Sequence, residues 1–180
     1  MHRRISHSSF LMKPLVWMES KRLQNYENEV FDRYEHKIII SSQDRLQIKH
    51  PRRDQIHVIP NGIDADFFNM RHFQTTQKKY DLLFTGNMSY LPNIEAVTFL
   101  VKKIMPLLKK QNSNISLLIC GATPSKLVRS YASKNIEVSG WVEDIREAYA
   151  QSRVFVAPLF LGSGLQNKLL EAMRMGIPCV

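Results

Sequence analysis

The sequence predicts an α/β fold with a doubly wound parallel sheet. Three observations carry this. From Tyr80 onward, short apolar runs alternate with amphipathic segments, the pattern of βαβ units whose parallel sheet is covered on both faces. Gly86, Gly121 and Gly140 each follow such a run directly or closely. The stretch from Ala157 to Val180, APLFLGSGLQNKLLEAMRMGIPCV, reads as strand, glycine-bearing loop, helix and new strand. That arrangement aims backbone N–H groups at a phosphate.

Each element has a local reason. Residues 15–35 place Leu23, Tyr26, Val30 and Tyr34 at helical spacing, predicting a long amphipathic helix. Residues 37–40 form a short β-branched run ending at Ser41-Ser42, and Ser42 is suited to cap a helix running to Lys49. Pro51 closes that helix, residues 56–59 form a strand, and Pro60-Asn61-Gly62-Ile63-Asp64 supplies turn chemistry. The polar stretch 69–79 reads as a linker. Residues 80–84 form a strand opening into Thr85-Gly86-Asn87, and Pro92 suits the first turn of a helix reaching Lys110. Ile94, Val97, Val101, Ile104 and Leu108 make its apolar stripe. Strands at 115–120, 136–139 and 154–157 alternate with helices at 125–133 and 142–151.

Composition narrows the function. The 180 residues are 44% hydrophobic and 9% aromatic, as in ordinary globular proteins, and no apolar run reaches membrane-spanning length. The N-terminus has no sustained apolar region, so it does not read as a signal peptide. Cys120 and Cys179 make no disulfide framework, and the six histidines show no zinc spacing. These features point to a cytosolic protein without a metal. The net charge of +9 favours anionic partners: nucleotide phosphates, anionic lipid at a membrane surface, or nucleic acid. No run interleaves aromatics and bases as a single-strand platform does, so nucleic acid is not expected.

Lys168 falls in the first turn of the last helix, where the macrodipole disfavours a cation. A bound anion reverses that sign. A lysine on a solvated face is the plainer alternative, but the flanking glycines and Glu171 favour a ligand.

The order of motifs resembles the GT-B glycosyltransferases, in the large group of retaining, nucleotide-sugar-dependent enzymes, and most of all the exopolysaccharide-associated subgroup. The matching pieces are SSQD from Ser41, IPNGIDADFF from Ile59, FTGNMSYLPNIEAV from Phe84, CGATPS from Cys120, VSGWVEDIREAYAQSRVFVAPL from Val138 and GLQNKLLEAMRMGIPCV from Gly164. The resemblance implies two Rossmann-like domains facing a cleft: residues 1–68 as the tail of the acceptor-side domain, and 80–180 as most of the donor domain. The chain begins with a helix lacking a preceding strand and stops as a strand opens, so it is expected to be a piece of a larger protein.

The resemblance also assigns roles. Gly86 and Asn87 would approach the donor diphosphate, with Gly121, Gly162, Ser163, Gly164, Gln166 and Asn167 completing the donor site. Gly140, Trp141 and Val142 would flank the nucleobase, although Trp141 also reads as core. Lys168 would neutralise the leaving diphosphate, and Glu171 would accept hydrogen bonds from ribose hydroxyls or serve as a plain helix-face contact. No cofactor beyond the nucleoside diphosphate sugar donor is implied, and the acceptor would be a glycan or a lipid-linked one. Two features depart from the wider family. Ser163 stands where many relatives carry a Glu, and Asn87 and Met88 lie near the place of an Arg–Lys pair. An inactive nucleotide-sugar-binding remnant and a GT-B epimerase-like relative remain alternatives.

Overall fold

The computed structural model describes residues 13–160 and 165–180. Gly162, Ser163 and Gly164 therefore lie outside the described residues. The chain divides after Asn61 into two compact units.

In the first unit, helix α1 spans Lys13–Arg33 as expected, but the predicted stripe is not its inner face. Leu23, Tyr26 and Tyr34 are exposed, and burial falls on Phe31, whose ring stacks on His50 at 3.8 Å. Strand β1 (Ile38–Ile39) pairs in parallel with β2 (His57–Val58). Between them α2 (Ser42–Gln47) is capped by Ser41, not by Ser42: the Ser41 hydroxyl accepts from Gln43 N–H and Asp44 N–H. The extended backbone of Ser41 leaves its Oγ facing the orphan N–H groups, whereas Ser42 is already helical.

The second unit contains a four-stranded parallel sheet in the order β5-β4-β3-β6, formed by β3 (Tyr80–Thr85), β4 (Leu117–Cys120), β5 (Ile136–Gly140) and β6 (Ser152–Phe155). Residues 178–180 extend it beyond β6: Cys179 bridges Phe155 in parallel, and Val180 N–H donates to Phe155 O at 2.9 Å.

Strand alternation splits the core into two layers. Leu82, Phe84, Leu117 and Ile119 face one side, where Ala96, Val97, Leu100, Met105 and Val128 cover them. Leu83, Leu118 and Phe155 face the other, under Ala148, Tyr149, Ala172 and Met175. The first cover is α3 (Leu91–Phe99), a π turn over Leu100–Ile104, and α4 (Met105–Gln111), with the short α5 (Lys126–Arg129) beside α3. The second is α6 (Ile145–Ala150) and α7 (Asn167–Arg174).

Two sequence expectations need correction here. The single helix from Pro92 to Lys110 contains a π turn, in which Met105 N–H reaches back to Leu100 O. Pro106 follows with no N–H to continue an α ladder, so the register slips by one residue just before it. The buried face is consequently centred on Ala96, Val97, Leu100 and Met105, and Ile94, Val101, Ile104 and Leu108 pack only at its flanks. The polar stretch 69–79 is not a free linker either. Met70–Phe73 forms a 3-10 turn, and Phe68, Met70 and Phe73 pack against the Tyr149 layer. Met70 and Phe73 within the stretch, with Phe68 just before it, outweigh the polar composition around them.

Candidate functional site

The glycines after β3, β4 and β5 converge at the C-terminal edge of the sheet. Gly86 N–H donates to Cys120 O at 3.1 Å, and Gly121 N–H donates to Gly140 O at 2.9 Å. A Cβ on Gly121 would stand 1.9 Å from Gly86 O, and one on Gly86 would stand 2.7 Å from the Asn93 amide nitrogen. Both have φ in the region that favours glycine, +146° and +153°. At Gly121 the edge is thus packed backbone to backbone, and at Gly86 the Asn93 and Lys168 side chains fill the space a Cβ would need.

Asn87 ties two of these loops together. Its Oδ1 accepts from Ser89 N–H, Ser89 Oγ and Thr123 Oγ1, the last at 2.8 Å. Its backbone oxygen accepts from Asn93 Nδ2 at 2.9 Å. The side chain expected to meet a diphosphate is engaged in holding the loops after β3 and β4 together.

Lys168 reaches into this edge from the first turn of α7. Its Nζ donates to Asn93 Oδ1 at 2.8 Å, lies 4.7 Å from the centre of the buried Phe84 ring, and would be 3.2 Å from a Cβ on Gly86. Among the described residues no carboxylate forms an ion pair with it. Burial pulls its pKa down to about 8, with Glu171 opposing that shift weakly through charge. The lowered value has a sign for stability: the unfolded chain binds this proton more tightly than the fold. The associated stability is fully present only above the ordinary lysine value and is lost as pH falls through about 8. At neutral pH this fold holds a partly desolvated cation whose hydrogen-bond partner is neutral.

Glu171 stands one turn on along α7. Its Oε2 accepts from the Tyr149 hydroxyl at 2.7 Å. That hydroxyl also meets Thr85 Oγ1 at 3.1 Å and Lys168 O at 3.3 Å. Tyr149 is fully buried, and burial raises its pKa well above the ordinary phenol value, so it is a neutral donor at any working pH. Glu171 and Asn167 also line a cavity of about 190 Å³ with Gly62, Ile63, Asp64, Phe68 and Leu170. Tyr149→Phe removes one hydroxyl from this buried network and nothing else. It should cost about 1–2 kcal/mol of stability, measured by denaturant unfolding. A variant as stable as the wild type would show that the network carries no strength.

Among the remaining expected residues, Gln166 precedes α7 in extended conformation without a side-chain cap. Val142 is half-buried against the Tyr149 layer. Trp141 is 72% exposed beside Gly140, which removes its reading as a core residue. Sequence reasoning missed Asn93 and Tyr149. Asn93 had a legible signal, a polar residue three and four positions before Ala96 and Val97 on the buried face of a helix. Tyr149 had only the general rule that a buried tyrosine seeks a partner for its hydroxyl.

Comparison with known proteins follows this geometry. The family model for group 1 glycosyl transferases matches residues 79–180. The Bacillus subtilis (strain 168) protein EpsF, whose name assigns it as a glycosyltransferase, is 26% identical over 140 residues, 71% of this chain and 36% of EpsF. A 44.6 kDa protein of the cps region of Klebsiella pneumoniae is 28% identical over 110 residues, 53% of this chain and 28% of that protein. The structure of Anabaena HepE in complex with UDP and glucose aligns with a TM-score of 0.64 at 13% identity, over 87% of this chain and 46% of HepE. The chain thus spans well under two thirds of each of these relatives.

Proposed function

Because the chain belongs to the group 1 glycosyltransferases and carries the GT-B type of α/β fold, we propose that it transfers a sugar from a nucleoside diphosphate donor to a glycan or lipid-linked acceptor, with retention at the anomeric carbon. The reading extends to cell-envelope polysaccharide synthesis at the cytoplasmic side of a membrane, in keeping with the cps-region relative. Residues 80–180 would then bind the donor, and the first unit, up to Asn61, would belong to the acceptor side.

The observation that carries the proposal is the Lys168 ammonium: half-buried, hydrogen-bonded to a neutral amide, and set at the glycine-lined sheet edge. A diphosphate there would meet the cation and the close backbone that Gly86 permits. Charge grows on the leaving diphosphate as the glycosidic bond breaks, so the ammonium helps most in the transition state. Glu171, oriented by Tyr149, would keep its second carboxylate oxygen for ribose hydroxyls. Gly162, Ser163 and Gly164 would complete the loop around the phosphates.

Binding of a nucleoside diphosphate raises the Lys168 pKa, so the complex takes up a proton. Near pH 8 the uptake should approach about half a proton per site, shrinking toward zero by about pH 6. Calorimetry of UDP binding in two buffers of different ionisation enthalpy measures it. Binding without uptake at pH 8 would remove Lys168 from the phosphate site.

A further inference from the structure

The outer surface of α3, the π turn and α4 has a character that the donor site does not explain. Phe99, Lys102, Lys103, Leu107 and Lys110 are exposed along one side of this continuous helix, opposite the buried Ala96, Leu100 and Met105. Leu107 is 62% exposed, and Phe160 packs edge-on against Phe99 with ring centres 4.7 Å apart. The neighbouring α5 adds Lys126 and Arg129 around an exposed Leu127. It is joined to α3 through the Tyr131 hydroxyl, which donates to Thr98 Oγ1 at 3.1 Å.

Charge on this unit is uneven across the sheet. From Leu91 to Gln111 and Lys126 to Arg129 there are six cations and one carboxylate, Glu95. Among the described residues none of these six forms an ion pair. On the opposite face, residues 143–150 and 167–174 carry Glu143, Asp144, Glu147 and Glu171 against Arg146, Lys168 and Arg174, a nearly balanced set.

We propose that the outer face of α3–α4 with α5 is a docking surface for an anionic phospholipid membrane. The lysines meet lipid phosphates, and Phe99, Leu107 and Leu127 enter the boundary between headgroups and acyl chains. A merely solvated lysine face needs no leucines or phenylalanine between its charges, and a single-stranded nucleic-acid surface needs rings free to stack on bases, whereas Phe99 is packed edge-on by Phe160. The uneven charge orients the unit, with the nearly balanced face turned from the lipid. The same helix begins at Leu91, two residues before Asn93 of the Lys168 site, so docking brings that site to the lipid boundary. This last step rests on the proposed function with a lipid-linked acceptor. Lipid binding itself does not.

Vesicle co-sedimentation of the full chain, with phosphatidylcholine alone or with 30% phosphatidylglycerol, tests the proposal. The protein should bind the anionic vesicles and not the neutral ones, more weakly as salt rises. Lys102→Ala with Lys103→Ala should cut partitioning roughly thirtyfold, from about fivefold per lysine near an anionic surface. Leu107→Ser with Leu127→Ser should cut it roughly fivefold or more at low salt. Lys49→Ala with Lys134→Ala, an equal change of charge elsewhere, should leave it within about twofold. Failure to bind anionic vesicles, or equal loss with the Lys49/Lys134 pair, overturns the surface. So does single-stranded DNA bound as tightly as the vesicles with no effect of the leucine pair. Lys168→Ala separates the two readings: it should weaken UDP binding and leave vesicle binding within about twofold.

Discussion

Under the proposed function, replacing Lys168 with alanine should lower kcat roughly 30- to 1,000-fold, the loss of about 2–4 kcal/mol of transition-state stabilisation. Donor affinity should fall less, because the diphosphate gains charge only as its bond to the sugar breaks. Stability should move differently. In the unliganded fold the ammonium is partly desolvated and its hydrogen-bond partner is the neutral Asn93 amide, so its removal relieves a burial cost while losing one contact. The variant should therefore melt no lower than the wild type at neutral pH. Steady-state kinetics at saturating donor, together with a thermal melt, decides the matter. Turnover within twofold of wild type would make Lys168 a structural lysine.

Gly121→Ala should be among the most damaging single substitutions in the second unit. The new Cβ would lie 1.9 Å from the Gly86 carbonyl oxygen. That atom is backbone at the end of β3 and cannot swing away. The residue would also be held at φ +146°. Overpacking and backbone strain together should cost more than about 3 kcal/mol, roughly 10 °C in melting temperature or outright insolubility. Gly140→Ala is the matched control: its φ of +76° also favours glycine, but a Cβ there meets nothing within 4 Å. It should cost only about 1–2 kcal/mol. If the two variants melted alike, the close approach of the β3 and β4 loops would be wrong.

These cases mark what was legible in the chain alone. Alternating apolar runs, glycines after strands and Pro92 at a helix start are local signals. They specified the parallel sheet, the helix order and the place of Lys168 and Glu171, because strand period, capping and turn chemistry act over a few residues. What the tertiary structure decided involves partners distant in sequence. Asn93 holds Lys168 across 75 residues, and Tyr149 holds Glu171 across 22. Neither pairing has a periodic signature, since a hydrogen bond between two helices depends on where the sheet between and beneath them brings their faces. Trp141 gave an ambiguous signal for the same reason. An indole after a strand packs inward or stands in solvent according to what lies above that strand, and here it stands 72% exposed. The π turn falls between these classes. Its cause, Pro106, is plain in the sequence, but the slip it produces is set by packing Leu100 and Met105 into the core beneath. Short-range chemistry thus determined the elements and the position of Lys168 and Glu171 on the last helix. Only the packed sheet decided which neutral side chains hold the cation and the carboxylate in place, because burial and long-range contact exist only once the chain is folded.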